Sequence, residues 1–361
     1  MERRRFILKA GGVLAAAATA VQAPCVIAQS KVQWRMSTTW TPALDVLQGS
    51  AQQVAKLVDE MSGGRFKIEV FPGGQIIPPL GCFDAASQGI IEAFMGAAYY
   101  WAAKEPAVQW FASVPFGMNP EGMKAWYLYG DGLKLWEETY AAFNLVPRPG
   151  LSTGAQMAGW FRRKINAIGD YKGLKMRIPG LGGRVLAKAG AADVLTPAGE
   201  IYAALERGAV DAAEWIGPHD DLKLGLQNTA RYYYYPGWHE PGTTLEFVFN
   251  KKAYEALPVD LRRTLDHAVS ATQVYGLSEY EVKNVVGLEK LKTEFKGKVE
   301  ILQLPAPVLR DLKKMAAEVV REESDKSPMA KKVYASFTRF QARLAGWRQI
   351  SEGAYHQFIA L

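Results

Sequence analysis

The chain has 361 residues, with 43 Lys and Arg against 36 Asp and Glu, a formal net charge of +7. That excess is too mild for a nucleic-acid binder, and no clustered basic stripe or RNA-binding motif adds to it. Its two cysteines, Cys25 and Cys82, exclude a disulfide framework and a cysteine metal site.

Residues 1–28 read as a removable export signal. Arg3, Arg4, Arg5 and Lys9 form a basic head, Ala10 to Val21 an apolar run, and Val26-Ile27-Ala28 a small-residue cleavage site before Gln29. The run is shorter than the ~20 residues a membrane-spanning helix needs, so it is an address and not an anchor. Arg3-Arg4-Arg5-Phe6-Ile7-Leu8 resembles the twin-arginine export pattern. Pro24 before Cys25 breaks the lipoprotein pattern, which leaves soluble release into the periplasm. The remaining 333 residues carry a net charge of about +4, enough chain for two lobes.

The mature chain alternates strands and helices. Lys31 to Ser37 has strand character, Leu44 to Met61 has helical apolar spacing closed by Gly63-Gly64, and Arg65 to Phe71 alternates as a strand. A Gly/Pro-rich loop leads to a helix over Phe83 to Gln88 and a strand at Glu92 to Ala97. A second array follows: a strand at Lys175 to Pro179, a helix near Gly183 to Ala189, a helix over Gly199 to Arg207 and a strand at Ala212-Ala213. Gln88-Gly89-Ile90-Ile91-Glu92-Ala93-Phe94 and Arg207-Gly208-Ala209-Val210-Asp211-Ala212-Ala213 share one order: helix end, Gly, two apolar residues, acid, Ala, strand. In each, a Gly able to take positive φ ends the helix and turns the chain into a strand. The pattern predicts an α/β fold of two similar lobes, with mixed, mostly parallel sheets and a ligand cleft at the strand ends. Residues 29–153 are expected mostly in lobe I and 154–250 mostly in lobe II. Residues 251–330 should be shared between the lobes.

The last third turns helical, from Pro258 through Phe295 and again from Pro307, around a short strand at Val299 to Leu304. In 331–361 the residues Tyr334, Phe337, Leu344, Trp347, Tyr355 and Phe358 make a wide apolar stripe. A stripe this aromatic either covers its own domain or docks on a second copy, and a homodimer is expected.

Enzymatic constellations are missing. There is no dinucleotide or phosphate-binding glycine loop, no Gly-x-Ser-x-Gly elbow and no His-Glu-x-x-His. His219-Asp220-Asp221 and His239-Glu240 place adjacent residues on opposite faces of a strand, so neither makes a metal cage alone. Ordinary surface or supporting roles are expected for these histidines.

Chemistry concentrates in Asp170-Tyr171-Lys172-Gly173-Leu174-Lys175-Met176-Arg177-Ile178-Pro179. This segment resembles the Asp-Leu-Lys-Gly-Leu-Lys-x-Arg-x-Pro run of the periplasmic receptors of TRAP (tripartite ATP-independent) transporters. The likeness extends over the opening strand and helix, Gln88 to Ala93, Gly208 to Asp211, Leu245 to Asn250 and the helical tail. Arg177, at a strand end facing the cleft, can grip a carboxylate with two parallel hydrogen bonds, and the resemblance implies that role. The alternative is an ion pair with a protein carboxylate.

Many dicarboxylate and sugar-acid receptors of that family carry a second arginine where this chain has Gln156. An amide cannot neutralise a second carboxylate, so a monocarboxylate is expected. Glu214 would repel a bound anion unless a cation sat between them, held by Gln156, Glu214 and the Trp215 carbonyl. The combination resembles the branch that binds 2-oxo or 2-hydroxy monocarboxylates with a metal ion, sodium first and calcium second. Glu240 is a further ligand candidate, and Tyr100 and Trp101 are expected to face the ligand opposite Trp215. The implied function is a periplasmic, non-enzymatic receptor that closes on a short 2-oxo acid such as pyruvate or 2-oxobutyrate and passes it to TRAP membrane subunits. The alternatives are a 2-hydroxy acid receptor with calcium and an enzyme acting on an oxo acid.

Overall fold

The computed structural model describes residues 31–359; the export signal and Cys25 lie outside the described residues. In chain order the strands are β1 (Val32–Thr38), β2 (Phe66–Phe71), β3 (Ala93–Gly96), β4 (Leu145–Ser152), β5 (Gly159–Phe161), β6 (Lys175–Arg177), β7 (Ala192–Val194), β8 (Ala212–Ala213), β9 (Tyr232–Tyr235), β10 (Thr244–Asn250) and β11 (Glu300–Gln303). They form two sheets, β2-β1-β3-β10-β4 and β11-β9-β5-β8-β6-β7.

Local sequence explains the first array. β2 buries Phe66 and Ile68 and exposes Lys67 and Glu69, the two-residue period of a half-buried strand. The helix Asp45–Met61 buries Val46, Leu47, Ser50, Ala51, Val54 and Val58 along one stripe. It ends where Gly63 (φ 62°) and Gly64 (φ 80°) turn the chain into β2. The paired signature in the two arrays also holds: Gly89 (φ 75°) leads into β3 and Gly208 (φ 72°) into β8.

The two sheets repeat one plan. In the first, β2, β1 and β3 are parallel and β10 runs antiparallel between β3 and β4. In the second, β7, β6 and β8 are parallel and β5 runs antiparallel between β8 and β9. The antiparallel member is exchanged in each case. β5 follows β4 of the first sheet and enters the second; β10 follows β9 of the second and enters the first. Within 154–250, expected mostly in lobe II, β5 to β9 join the second sheet, whereas Thr244–Asn250 belongs to the first. All seven residues of β10 are buried, which requires a central place covered on both faces.

The two crossing segments, 153–158 and 236–243, run side by side. Thr153 N–H donates to the Thr243 carbonyl (3.0 Å), Gln156 N–H to the Glu240 carbonyl (3.3 Å) and Gly237 N–H to the Gln156 carbonyl (2.8 Å). The long helix Val259–Thr293 is a third connection, packing on Asp45–Met61, on β4 and on the helix Pro218–Lys223. The C-terminal stripe divides: Phe337 packs on Trp126, whereas Trp347, Tyr355 and Phe358 are exposed. No helix among the described residues is long and apolar enough to cross a membrane.

Candidate functional site

A small cavity lies between the two sheets. Trp40, Leu47, Tyr99 and Tyr100 line it from the first-sheet side, Thr153 and Gln156 from a crossing segment, and Arg177, Trp215 and Ile216 from the second. The polar wall is built by short strands that stop beside one another: β6 ends at Arg177 and β8 at Ala213, one residue before Glu214.

Arg177 is 1% exposed. Its Nη1 donates to the Glu214 carbonyl (2.9 Å) and to the Glu214 carboxylate, and its Nε to the Thr196 carbonyl (3.2 Å). The guanidinium stacks over the Trp215 ring at 4.9 Å. Both expectations for Arg177 thus meet in one place: it faces the cavity, and it is paired with a protein carboxylate. Burial pushes the Glu214 carboxyl up to about 7, against the pull of Arg177.

Gln156 Nε2 donates to the hydroxyls of Thr153 (3.0 Å) and Thr243 (3.2 Å), which leaves Oε1 buried and without a protein partner. Such an oxygen is costly unless something donates to it or it binds a cation. Glu240 accepts from Tyr99 Oη (3.4 Å) and from the Thr243 hydroxyl. Burial, reinforced by Glu214, drives its carboxyl up to about 7.

Two sequence expectations are corrected. Trp101 does not face the ligand: it is 2% exposed, its indole N–H donates to Glu246 Oε1 (2.7 Å) and its ring packs on Phe83 and Phe94. The reason is the 3₁₀ turn Ala98–Trp101, which rotates successive side chains by about a third of a turn and sends Tyr99 and Tyr100 to the cavity instead. Tyr99 was not anticipated. His239 and Glu240 do not point apart, because Glu240 N–H closes a turn onto the Gly237 carbonyl (3.1 Å). His239 is 1% exposed, its Nε2 lies 3.3 Å from a Glu214 oxygen, and burial lowers its pKa to about 4. Glu214, His239 and Glu240 offer ligand atoms within 4.8 Å of one another, so that His239 joins two carboxylates the sequence already offers as ligand candidates.

The donor chemistry fits a cation. Gln156 Oε1 and the Glu214 and Glu240 carboxylates are hard oxygen donors of the kind sodium and calcium take, and His239 adds a nitrogen. A cation there would offset carboxylate charge beside the position of a bound anion.

The sequence model of the bacterial extracellular solute-binding protein family 7 (DctP) matches residues 36–326. The chain belongs to this family. It is similar to the monocarboxylate 2-oxoacid-binding periplasmic protein of Nostoc sp., with 40% identity over 329 residues, 91% of this chain and 89% of the relative. Two solved TRAP transporter receptors share the fold at TM-score 0.88. The protein from Pseudoalteromonas atlantica is 38% identical, over 91% of this chain and 100% of that one, and was solved with bound sodium and pyruvate. The protein from Bordetella bronchiseptica RB50 is 37% identical, over 91% and 97%, and is a mixed-occupancy dimer with calcium and picolinate in the active site. The fold is accordingly the two-lobed TRAP receptor fold, and the chain belongs to a family of receptors rather than enzymes.

Behind the first-sheet wall, Glu246 is fully buried and accepts from Trp101 and from Tyr140 Oη (2.7 Å). Burial raises its pKa to about 7, opposed by those two hydrogen bonds. Between pH 4.5 and 7 the folded chain therefore holds a proton the unfolded chain releases, so this group's contribution to stability falls as pH rises through that window. Glu246→Gln should gain on the wild type by on the order of 2 kcal/mol between pH 4.5 and pH 8. Urea unfolding at the two pH values measures it; a pH-independent difference would contradict the burial account.

Proposed function

We propose that this chain is the periplasmic receptor of a TRAP transporter and binds a short 2-oxo monocarboxylate, such as pyruvate or 2-oxobutyrate, together with a metal cation. The observation that carries the reading is the meeting of Arg177 with the unpartnered Gln156 Oε1 in one small buried cavity. Arg177 supplies the single fixed cation for one carboxylate. Gln156, Glu214 and the Trp215 carbonyl would hold the metal, and Glu240 a second polar group of the ligand. Tyr100 and Trp215 form the wall.

Pyruvate and picolinate, found in the two solved relatives, share one chemical feature: a second donor atom next to the carboxylate. That atom allows a five-membered chelate with a cation, which a plain fatty acid cannot make. Sodium is favoured here because Glu214 is already engaged by Arg177, which lowers the negative charge left for a divalent ion. A 2-hydroxy acid such as lactate with calcium is the second reading. Capture works by closure of the two lobes about the crossing segments, the closed form being favoured by ligand contacts to both walls. Delivery to the membrane subunits of the transporter follows.

Calorimetry with pyruvate, propionate and lactate in sodium, calcium and choline buffers tests this. Pyruvate should bind only with sodium or calcium, and propionate at least about a hundredfold more weakly, the loss of a buried polar contact. Arg177→Ala should weaken pyruvate by about two to four powers of ten, as expected when a buried charge loses its partner. Near-normal affinity in that variant would remove Arg177 from the site.

We also propose a homodimer formed through the C-terminal region, supported by the exposure of Trp347 (64%) and Phe358 (76%) near the chain end. Light scattering at micromolar concentration should give a dimer that Trp347→Asp converts to monomer; a monomeric wild type would refute it.

A further inference from the structure

The loop after β8 supplies Trp215 and Ile216 to the cavity, and two aspartates just beyond it are almost fully withdrawn from water: Asp220 is 0% and Asp221 1% exposed. Both sit in the short helix Pro218–Lys223, and both turn back on the loop that precedes them. Asp221 accepts from the Ile216 N–H (3.1 Å), Trp160 Nε1 (2.9 Å) and Tyr233 Oη (2.7 Å). Asp220 Oδ2 accepts from Trp215 Nε1 (3.3 Å) and from Tyr280 Oη (2.9 Å) on the long helix.

We infer that Asp220 is a positioning residue that fixes the Trp215 wall and thereby sets the size of ligand the cavity admits. A carboxylate buried this deeply costs more to desolvate than an apolar residue of the same volume, so packing alone does not account for it. Its hydrogen bonds identify what it secures. The indole has one polar atom, Nε1, and Asp220 holds it; one face of the same ring lies against the Arg177 guanidinium. With its edge and one face both held, the orientation of the ring decides how much room is left beside Arg177 in this small cavity. Tyr280 anchors Asp220 in turn to the long helix, which packs on β4 and on Asp45–Met61. The Trp215 wall is thus tied to the connection between the lobes through one carboxylate. Asp221 holds the backbone of the next residue and completes the loop's placement.

The inference rests on the 2-oxo acid reading for its ligands. The test is calorimetry of the whole chain with pyruvate and with 4-methyl-2-oxopentanoate, in the presence of sodium and calcium. Asp220→Ala should weaken pyruvate and narrow its advantage over the larger acid by about fivefold or more, the scale on which a pocket reads an extra methylene. Asp220→Asn, which keeps an oxygen for the indole N–H, should restore the preference to within about twofold of wild type. In a Trp215→Phe background, where no N–H remains to be held, Asp220→Ala should leave the preference unchanged, a non-additivity that a merely stabilising role would not produce. Where the alanine variant does not fold, Asp220→Ser, polar but too short to reach the indole, takes its place. A wild-type preference in Asp220→Ala or Asp220→Ser, or an equal shift in the Trp215→Phe background, overturns the inference and leaves the receptor reading standing. A wild type that binds neither acid overturns both.

Discussion

A guanidinium at 1% exposure can stay in a protein interior only if its charge and its N–H groups are matched, and in this chain Glu214 does the matching. Every other feature of the cavity follows from that requirement. Glu214 must lie where β8 ends beside β6, and its second oxygen falls next to His239. Trp215 follows it in sequence and is brought under the guanidinium. Arg177 lines the cavity while paired with Glu214, so an anion bound there would share its charge and would call for a further cation. The unpartnered Gln156 Oε1 is an oxygen donor that such a cation could take.

The exchange of β5 and β10 between the sheets sets two crossing segments side by side at the cavity. One crossing segment carries the cavity residues Thr153 and Gln156, the other carries His239, Glu240 and Thr243 beside them, and the two are hydrogen-bonded to each other. Only contacts that differ between two states can shift an equilibrium between them, and a ligand reaching both walls would supply such contacts. The family's role as a receptor is thereby given a physical basis in this chain.

Much of this was legible in the sequence where the signal is local. The Gly89 and Gly208 turns, the helix Asp45–Met61 and the stop of β6 after Arg177 are all written in consecutive residues, and the segment Asp170 to Pro179 carried the family. The side of the chain on which a residue faces was less legible. Trp101 is expected at the ligand from its place after β3, matching that of Trp215 after β8, but the 3₁₀ turn Ala98–Trp101 breaks that correspondence and brings Tyr99 to the cavity. His239 was read as an ordinary residue because its turn closes on Gly237 and its partner Glu214 is 25 positions away in sequence. Asp220 stands out in the sequence only as part of His219-Asp220-Asp221; its contacts with Trp215 and Tyr280 are made by the fold. The place of β10 in the first sheet depends on a crossing that no local pattern announces.

A crystal structure of the chain with pyruvate and sodium tests the central claim most directly. The account predicts the pyruvate carboxylate on Arg177, and a cation bound by Gln156 Oε1, by Glu214 and by the 2-oxo group. Pyruvate bound outside this cavity, or bound within it with its carboxylate away from Arg177, would contradict it.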